Sequence, residues 1–478
     1  MTTTQRKDDL FATLPLPWPD AGLAEEIERA VTASGRKVVV LDDDPTGTQT
    51  VHDIDVLATW QIDDLAVALA DPAPAFYILT NSRSLSAAQA ALINQEIAHN
   101  LVQAARRAGR EFVIVSRSDS TLRGHYPAEV DALANALEAE LGRPYDGLLL
   151  IPFFLEGGRY TLDDVHYVLQ GERLVPAGET EFARDPAFAY HSSDLRRWVE
   201  EKTAGRIPAS TVASISLATL RQGGPAAVER LLRTVQGRTP VIVNAAAYAD
   251  LEVLVAGLLA AEQAGKRFLY RTAASFVRVR SALAPRGLLT AADLFAPGAR
   301  RRPGLIVVGS HVARSTDQWR SLLTLPEIAP LQMDVPAILN GTTREEALQV
   351  LEDSVTVALG QGQDVVLATS RRVIVGGSPE DNLAIARAVS EALCALVRRV
   401  VRRTPPAFVV AKGGITSSDV ATQALGIRRA RVLGQVQPGV PVWRAGAESL
   451  LPGAPYVVFP GNVGTADTLR DIVAQCRG

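Results

Sequence analysis

The chain has two cysteines in 478 residues, Cys394 and Cys476, set far apart and without a CxxC pair. That excludes a disulfide-rich secreted scaffold and argues against a structural zinc site. Cys394 falls in the apolar stretch 383–400 and reads as a small buried hydrophobe. Cys476 reads as a frayed terminal residue. Aromatics make up only 5% of the residues, too few for the stacking platforms of a single-strand binder. A net charge of −3 gives no general attraction to nucleic acid or to an anionic membrane. The six histidines show no HxH or HExxH spacing, which leaves a zinc hydrolase without support. His125 and His166 lie near candidate loops and read as structural, hydrogen-bonding residues. No run reaches the roughly 18 apolar residues of a membrane span. The start, MTTTQRKDDL, lacks the apolar stretch of a signal peptide, so the expected location is the cytoplasm. There is no GxxxxGK[ST] loop and no GxGxxG after a strand, which disfavours P-loop enzymes and dinucleotide dehydrogenases.

What is present is the ordinary mix of a globular enzyme, 47% hydrophobic and 21% charged, in a chain long enough for two to four domains. Short β-branched runs end abruptly in polar loops: 37–41 before DDDPTGT, 75–80 before NSRSLS, 112–115 before SRSDSTLRG, and 147–151 before PFFLEGGR. Helical stretches such as 87–109 lie between them. Strand, loop and helix in alternation predict an α/β fold, each domain a mostly parallel sheet flanked by helices. Ligands of such sheets bind beyond the carboxyl ends of the strands, where these polar loops fall. The Pro, Gly and basic cluster at 286–303 breaks the rhythm, and two domains are expected, 1–295 and 296–478. A second strand series follows at 304–308, 364–368, 407–411 and 456–459, with a long helix at 379–402.

The loops carry the chemistry. DDDPTGTQTVHD gathers Asp42, Asp43, Asp44 and Asp53 beside Thr46, Gly47 and Thr48. A carboxylate near a substrate hydroxyl can serve as general base in phosphoryl transfer, or hold Mg²⁺ through water. Arg83, Arg117, Asp119, Ser120 and Arg123 add planar forks for a carboxylate or phosphate, and partners for sugar hydroxyls. An internal Arg–Asp network bracing the sheet edge is the plainer alternative. In the second half, AKGGITSSD places Gly413, Gly414 and Thr416 at a strand-to-helix turn suited to phosphate. Thr416, Ser417 and Ser418 can cap that helix or donate to phosphate oxygens. PGNVGTAD repeats the pattern with Gly461, Asn462 and Gly464, and GSHVARS does so with Gly309, Ser310 and Ser315. Three such loops in one half predict a nucleotide site.

Taken together, these segments resemble the four-carbon acid sugar kinases, which act on threonate, erythronate and 3-oxo-tetronate type substrates. DDDPTGT, SDSTLRG, IPFFLEGGR, ETEFARDP, GSH, KGGITSSD, QPGVPVW and FPGNVGTAD carry the resemblance in order along nearly the whole chain. It implies a sugar-acid-binding N-terminal domain, an ATP-binding C-terminal domain and an active site in the cleft between them. Carried over, it puts substrate contacts at Asp43, Asp44, Arg83, Asp119 and Arg123, with Thr46 beside them. It puts ATP contacts at Ser310, near Ser370, and at Gly413 and Gly414. GGITSSD stands where most members read GGETSG, and such departures leave a branched or longer oxo-acid open as substrate.

The expected reaction is in-line transfer from ATP with Mg²⁺ to a substrate hydroxyl. Arg83, Arg123 and Asp119 would position the substrate, and Asp43 or Asp44 would act on the hydroxyl proton. No protein-held metal site, nucleic acid or membrane partner is expected, and a homodimer is left open. Two rivals stand beside this reading. One is a non-catalytic nucleotide or sugar-acid sensor. The other is an ATP-independent sugar-acid lyase or isomerase, for which Lys412 is the one candidate Schiff-base lysine.

Overall fold

A run such as KVVVLD needs cover on both faces, because its apolar side chains point alternately up and down. In the structure, a computed structural model, this run forms strand β1 (Lys37–Asp42), buried along its whole length. The structure describes residues 4–19, 22–298, 303–309, 313–370, 374, 376–461 and 463–477. The chain divides into two compact units, Met1–Ile54 with Thr59–Pro285, and Asp55–Ala58 with Arg286–Gly478.

In the first unit β1 is joined by β2 (Ala75–Leu79), β3 (Phe112–Arg117), β4 (Gly147–Ile151), β5 (Ala213–Ile215), β6 (Thr239–Val243) and β7 (Phe268–Thr272). Their order across the sheet is β5-β6-β4-β7-β3-β1-β2, and every neighbouring pair is parallel. The chain steps from β1 to β2 on one side and returns to the other side as β3. That reversal opens a crevice beyond the carboxyl ends of β1 and β3. DDDPTGT and SRSDSTLRG emerge there. The helix between β2 and β3, Ala87–Ala108, begins at a capping box of Ser86 and Gln89 and stops at Gly109, whose φ is 61°.

A small antiparallel sheet, not foreseen, adds Arg159–Leu162, Val165–Gln170, Arg173–Pro176 and the edge pair Gln5–Arg6. His166 ties it to the crevice: Nε2 meets the Ser120 carbonyl at 2.7 Å and Nδ1 meets Thr161 Oγ1 at 3.0 Å. Burial pushes its pKa down to about 4, so it serves as a neutral brace.

The second unit has strands β8 (Leu305–Val308), β9 (Ile328–Met333), β10 (Asp364–Thr369), β11 (Val409–Lys412), β12 (Arg429–Gln437), β13 (Val440–Ala445) and β14 (Pro455–Phe459). The order is β12-β13-β14-β11-β8-β10-β9. It is parallel from β14 to β9 and antiparallel at the β12–β13–β14 end. The order reverses again at β8, with β10 on one side and β11 on the other. Both units therefore have the expected α/β architecture.

Cys476 corrects the sequence reading. It is 3% exposed and belongs to the core with Leu469, Ile472 and Val473, the i, i+3, i+4, i+7 face of helix Thr468–Cys476. Burial pushes its thiol up to about 12. The second unit also recruits Asp55–Ala58 from early in the chain. The Ala58 N–H donates to the Arg428 carbonyl at 2.8 Å. Asp55 accepts from Arg429 Nε at 2.8 Å and from Arg431 Nη1 at 3.1 Å. Among the described residues, no helix is long and apolar enough to cross a membrane.

Candidate active site

The three aspartates at the end of β1 take three environments. Asp42 ends the strand at 1% exposure, and Arg117 Nη1 donates to it at 3.1 Å. Burial pushes its pKa up to about 7 against the pull of Arg117. Gly47 lies directly on this carboxylate, so close that a Cβ would occupy the same space. Asp43, also buried, accepts from Arg83 Nη2 at 2.5 Å and from Ser118 Oγ at 2.7 Å. Asp44 caps the short helix Pro45–Thr50, accepting the Thr46 N–H at 2.9 Å and the Thr46 hydroxyl at 2.5 Å. Burial opposes its ionisation, but Arg83 and the Thr46 donors prevail and hold its carboxyl below the usual range. Its other oxygen is only loosely engaged, 3.5 Å from Arg83 Nη1. Asp53 stands apart and pairs with His52 at 2.8 Å.

From β3, Asp119 accepts Arg123 Nε at 2.8 Å and the Thr121 hydroxyl, and lies 3.8 Å from Arg83 Nη1. Burial again opposes ionisation, and Arg123 with Arg83 overcomes it, so this carboxyl is held well below its ordinary range. Arg123 also reaches Asp185 at 3.4 Å and stands over the Phe182 ring. Asp43, Asp44, Thr46, Arg83, Asp119 and Arg123 thus form one cluster at the crevice of the first unit. Side-chain exposure grades across it, from 2–4% at Asp42, Asp43 and Arg117 to 12–23% at Asp44, Arg83, Asp119 and Arg123.

Three further groups escaped sequence reasoning. Arg159, on the small sheet, is half-buried near Asp119 and Arg123, and its buried Nε has no hydrogen-bond partner among the described residues. Arg271, at the end of β7, donates to Ser118 Oγ at 2.8 Å. Gly124, with φ 115°, leaves room for both, since a Cβ there would lie 2.7 Å from Ser118 Oγ and 2.9 Å from Arg271 Nη2. The signal for Arg159 was the Gly-Gly-Arg step after β4. Arg271 sits within a buried strand and left no local signal.

In the second unit, Gly413 has φ 120° and ψ 141°, and its N–H donates to the Phe459 carbonyl at 2.8 Å. Helix Gly414–Asp419 follows, and its first N–H groups have no partner within the helix. Thr416 packs beneath Gly309, where a Cβ would collide with its hydroxyl. Ser417 does not face a ligand; its hydroxyl turns back to the Ala411 carbonyl at 2.7 Å. The Ser370 hydroxyl, at the end of β10, is buried without a partner among the described residues. Gly461 offers its carbonyl to Ser315 at 3.3 Å and to Lys412 at 3.2 Å, and Gly464, with φ 82°, packs on Thr468. Lys412 is fully buried, donates to the Pro460 carbonyl at 2.5 Å and stands 3.8 Å over the Phe459 ring. Burial pushes its pKa down to about 7. Ser310 and Asn462 lie outside the described residues.

Residues 38–280 match the model of a sugar-binding N-terminal domain, and residues 305–469 match that of a nucleotide-binding C-terminal domain. The chain belongs to the four-carbon acid sugar kinase family. Within that family, it is similar to a D-erythronate kinase of Heliobacterium modesticaldum, with 25% identity covering 67% of this chain and 70% of the relative. It is also similar to a D-threonate kinase of Bordetella bronchiseptica, with 28% identity over 91% of this chain and 96% of that one. Its fold resembles a crystal structure from Salmonella typhimurium LT2 that carries a tRNA synthase name, with a TM-score of 0.64 and 19% identity. That match covers 92% of this chain and 98% of the other, and it shows the fold alone. In this four-carbon acid sugar kinase family member, the sugar-binding model spans the Asp–Arg cluster and the nucleotide-binding model spans the glycine loops around Lys412.

Proposed function

We propose that this chain is an ATP-dependent carbohydrate-acid kinase, transferring the γ-phosphoryl group of ATP to a hydroxyl of a small sugar acid. The graded exposure of the Asp–Arg cluster carries the reading. A buried base of Asp42, Asp43 and Arg117 holds in place an outer layer of Asp44, Arg83, Asp119 and Arg123 that solvent reaches. The guanidinium forks of Arg83 and Arg123 suit the acid group, and Asp119 suits sugar hydroxyls. The relatives named for D-erythronate and D-threonate support a four-carbon acid as substrate.

Asp44 is the better candidate for the reacting hydroxyl. Asp43 is saturated by Arg83 and Ser118 and faces away from water, so its role is to position Arg83. Asp44 keeps one oxygen available and stays ionised. The substrate oxygen forms a bond to the γ-phosphorus as the bond to the β–γ bridging oxygen breaks. The hydroxyl proton passes to Asp44, and ADP leaves. Such transfer relies on positioning and charge neutralisation.

For the nucleotide, the unpartnered Ser370 hydroxyl, the N–H groups opening helix Gly414–Asp419 and the Gly309–Thr416 contact fit a phosphate-bearing ligand. Gly461 and Gly464 would line the same loops. Mg²⁺ would be carried mainly by the phosphate oxygens, where it neutralises developing charge. A cytoplasmic location belongs to the same proposal.

The test is ADP release with MgATP and a panel of D-threonate, D-erythronate and 3-oxo-tetronate. Asp44→Asn should lower kcat by about 10²–10⁴, while Asp43→Asn should chiefly raise KM for the acid. Absence of acid-dependent ADP release across the panel would sink the reading.

A further inference from the structure

The amino-terminal end of the first unit's strands, opposite the Asp–Arg cluster, holds a cavity of about 430 Å³. It opens where β3 and β7 begin, with Phe112, Ile114 and Phe268 from those strands and Val102, Leu141 and Tyr145 beside them. Pockets of this size and lining suit a small organic molecule.

Its charge is one-sided. Arg36, Arg106, Arg110, Arg143, Lys266 and Arg267 face two carboxylates, Glu111 and Glu262. Both carboxylates are already engaged. Glu111 accepts Arg36 Nε at 2.9 Å, and Glu262 accepts Arg280 Nη2 at 2.7 Å and the Tyr270 hydroxyl. Lys266 is matched by Asp146 at 3.0 Å, and Arg106 by Glu140 at 3.8 Å. Arg110, Arg143 and Arg267 have no carboxylate within ion-pair distance among the described residues. Arg267 lies over the Tyr145 ring at 4.5 Å and donates to the Arg143 carbonyl, which keeps its fork at the rim. Three unmatched guanidinium groups around an apolar floor are complementary to a molecule with an apolar body and an anionic head.

We propose that this cavity is a binding site for a small aromatic or similarly apolar anion, separate from the sugar-acid site. The two sites sit at opposite ends of the same strands. β3 runs from Phe112 at the cavity to Arg117 at the Asp–Arg cluster, and β7 from Phe268 to Thr272. Five- and six-residue strands span roughly 15–20 Å, so the ligand does not compete with the sugar acid.

The probe is 8-anilinonaphthalene-1-sulfonate, an aromatic anion whose fluorescence rises in apolar surroundings. Saturable binding at one site per folded chain is expected. The double variant Arg110→Glu/Arg143→Glu, in exposed side chains, should weaken it at least tenfold with the melting temperature retained. Arg107→Glu, nearby but outside the lining, and Arg83→Ala, at the other end of the strands, should leave the probe's affinity unchanged. Displacement by phenyl phosphate or by benzoate supports the site and assigns its head group. Displacement by neither, equal weakening in Arg107→Glu, or a double variant that changes subunit association but not probe affinity would overturn the proposal.

Discussion

At Asp42 a carboxyl is withdrawn from water at the end of a fully buried strand, and its pKa rises to about 7 from an ordinary 3.8. The folded chain therefore holds this proton more tightly than the unfolded chain. Below about pH 4 the group costs nothing; as pH climbs to about 7 its cost grows, and beyond that it stays constant. Asp44 and Asp119 run the other way, giving stability above the carboxylate range that is lost as pH falls through their depressed values. Asp42→Asn should flatten the decline in stability between about pH 4 and 7, read from urea melts. An unchanged slope would assign that proton elsewhere. Gly47→Ala should cost about 1–3 kcal/mol, because its methyl group must displace the Asp42 carboxylate; chemical denaturation measures it. The aspartate triplet was legible in sequence, but the division of labour within it was not. Arg83, Ser118 and Arg117, which separate the three, come from the carboxyl ends of β2 and β3 and leave no mark beside Asp42.

Among the elements, strands with an apolar run that ends in a polar loop could be read directly, as with β1, β3, β4 and β10. The antiparallel pair β12 and β13 could not, since its register shifts at Val432/Gly434 and at Gln435/Gln437 interrupt the alternation that marks a strand. The small sheet bearing Arg159 escaped for a related reason: its strands are short, and its side chains divide between a packed face and the site. The KGGITSSD turn was recognised as a turn, but its hydroxyls were not told apart, because Ser417 spends its hydroxyl on β11. Lys412 joins β11 to the loop after β14 through two carbonyls, which, on the function proposed above, makes it a positioning residue for the ATP site. Lys412→Met should raise KM for ATP about 10–100-fold, the scale of a lost charged hydrogen bond, and leave KM for the acid near its original value. Steady-state kinetics with each substrate varied in turn checks this; equal change in both constants would remove the assignment.

For the molecule as a whole, a break in the sequence rhythm at 286–303 was visible, whereas the transfer of Asp55–Ala58 to the second unit was not. A segment of four residues is too short for any periodicity, and its partners, Arg429 and Arg431, stand far along the chain. Asp55→Ala should destabilise the second unit by about 2 kcal/mol, once the solvent exposure of both arginines is allowed for. Likewise, the fragment 286–478 alone should melt below the same unit in the whole chain, and a peptide of residues 51–60 should restore part of the loss. Calorimetry of the fragment with and without the peptide decides it.

Because that short insert is encoded far upstream of the rest of its unit, no single recombination event can move the nucleotide half intact between genes. A chimaera joined near residue 286 inherits a foreign four-residue patch, and unless that patch still presents an acid to the two arginines, the graft loses the ion pairs that Asp55 makes with them. Exchange of halves between this chain and another is then constrained by a match between two distant stretches of its sequence, and a hybrid built from it would require changing both together.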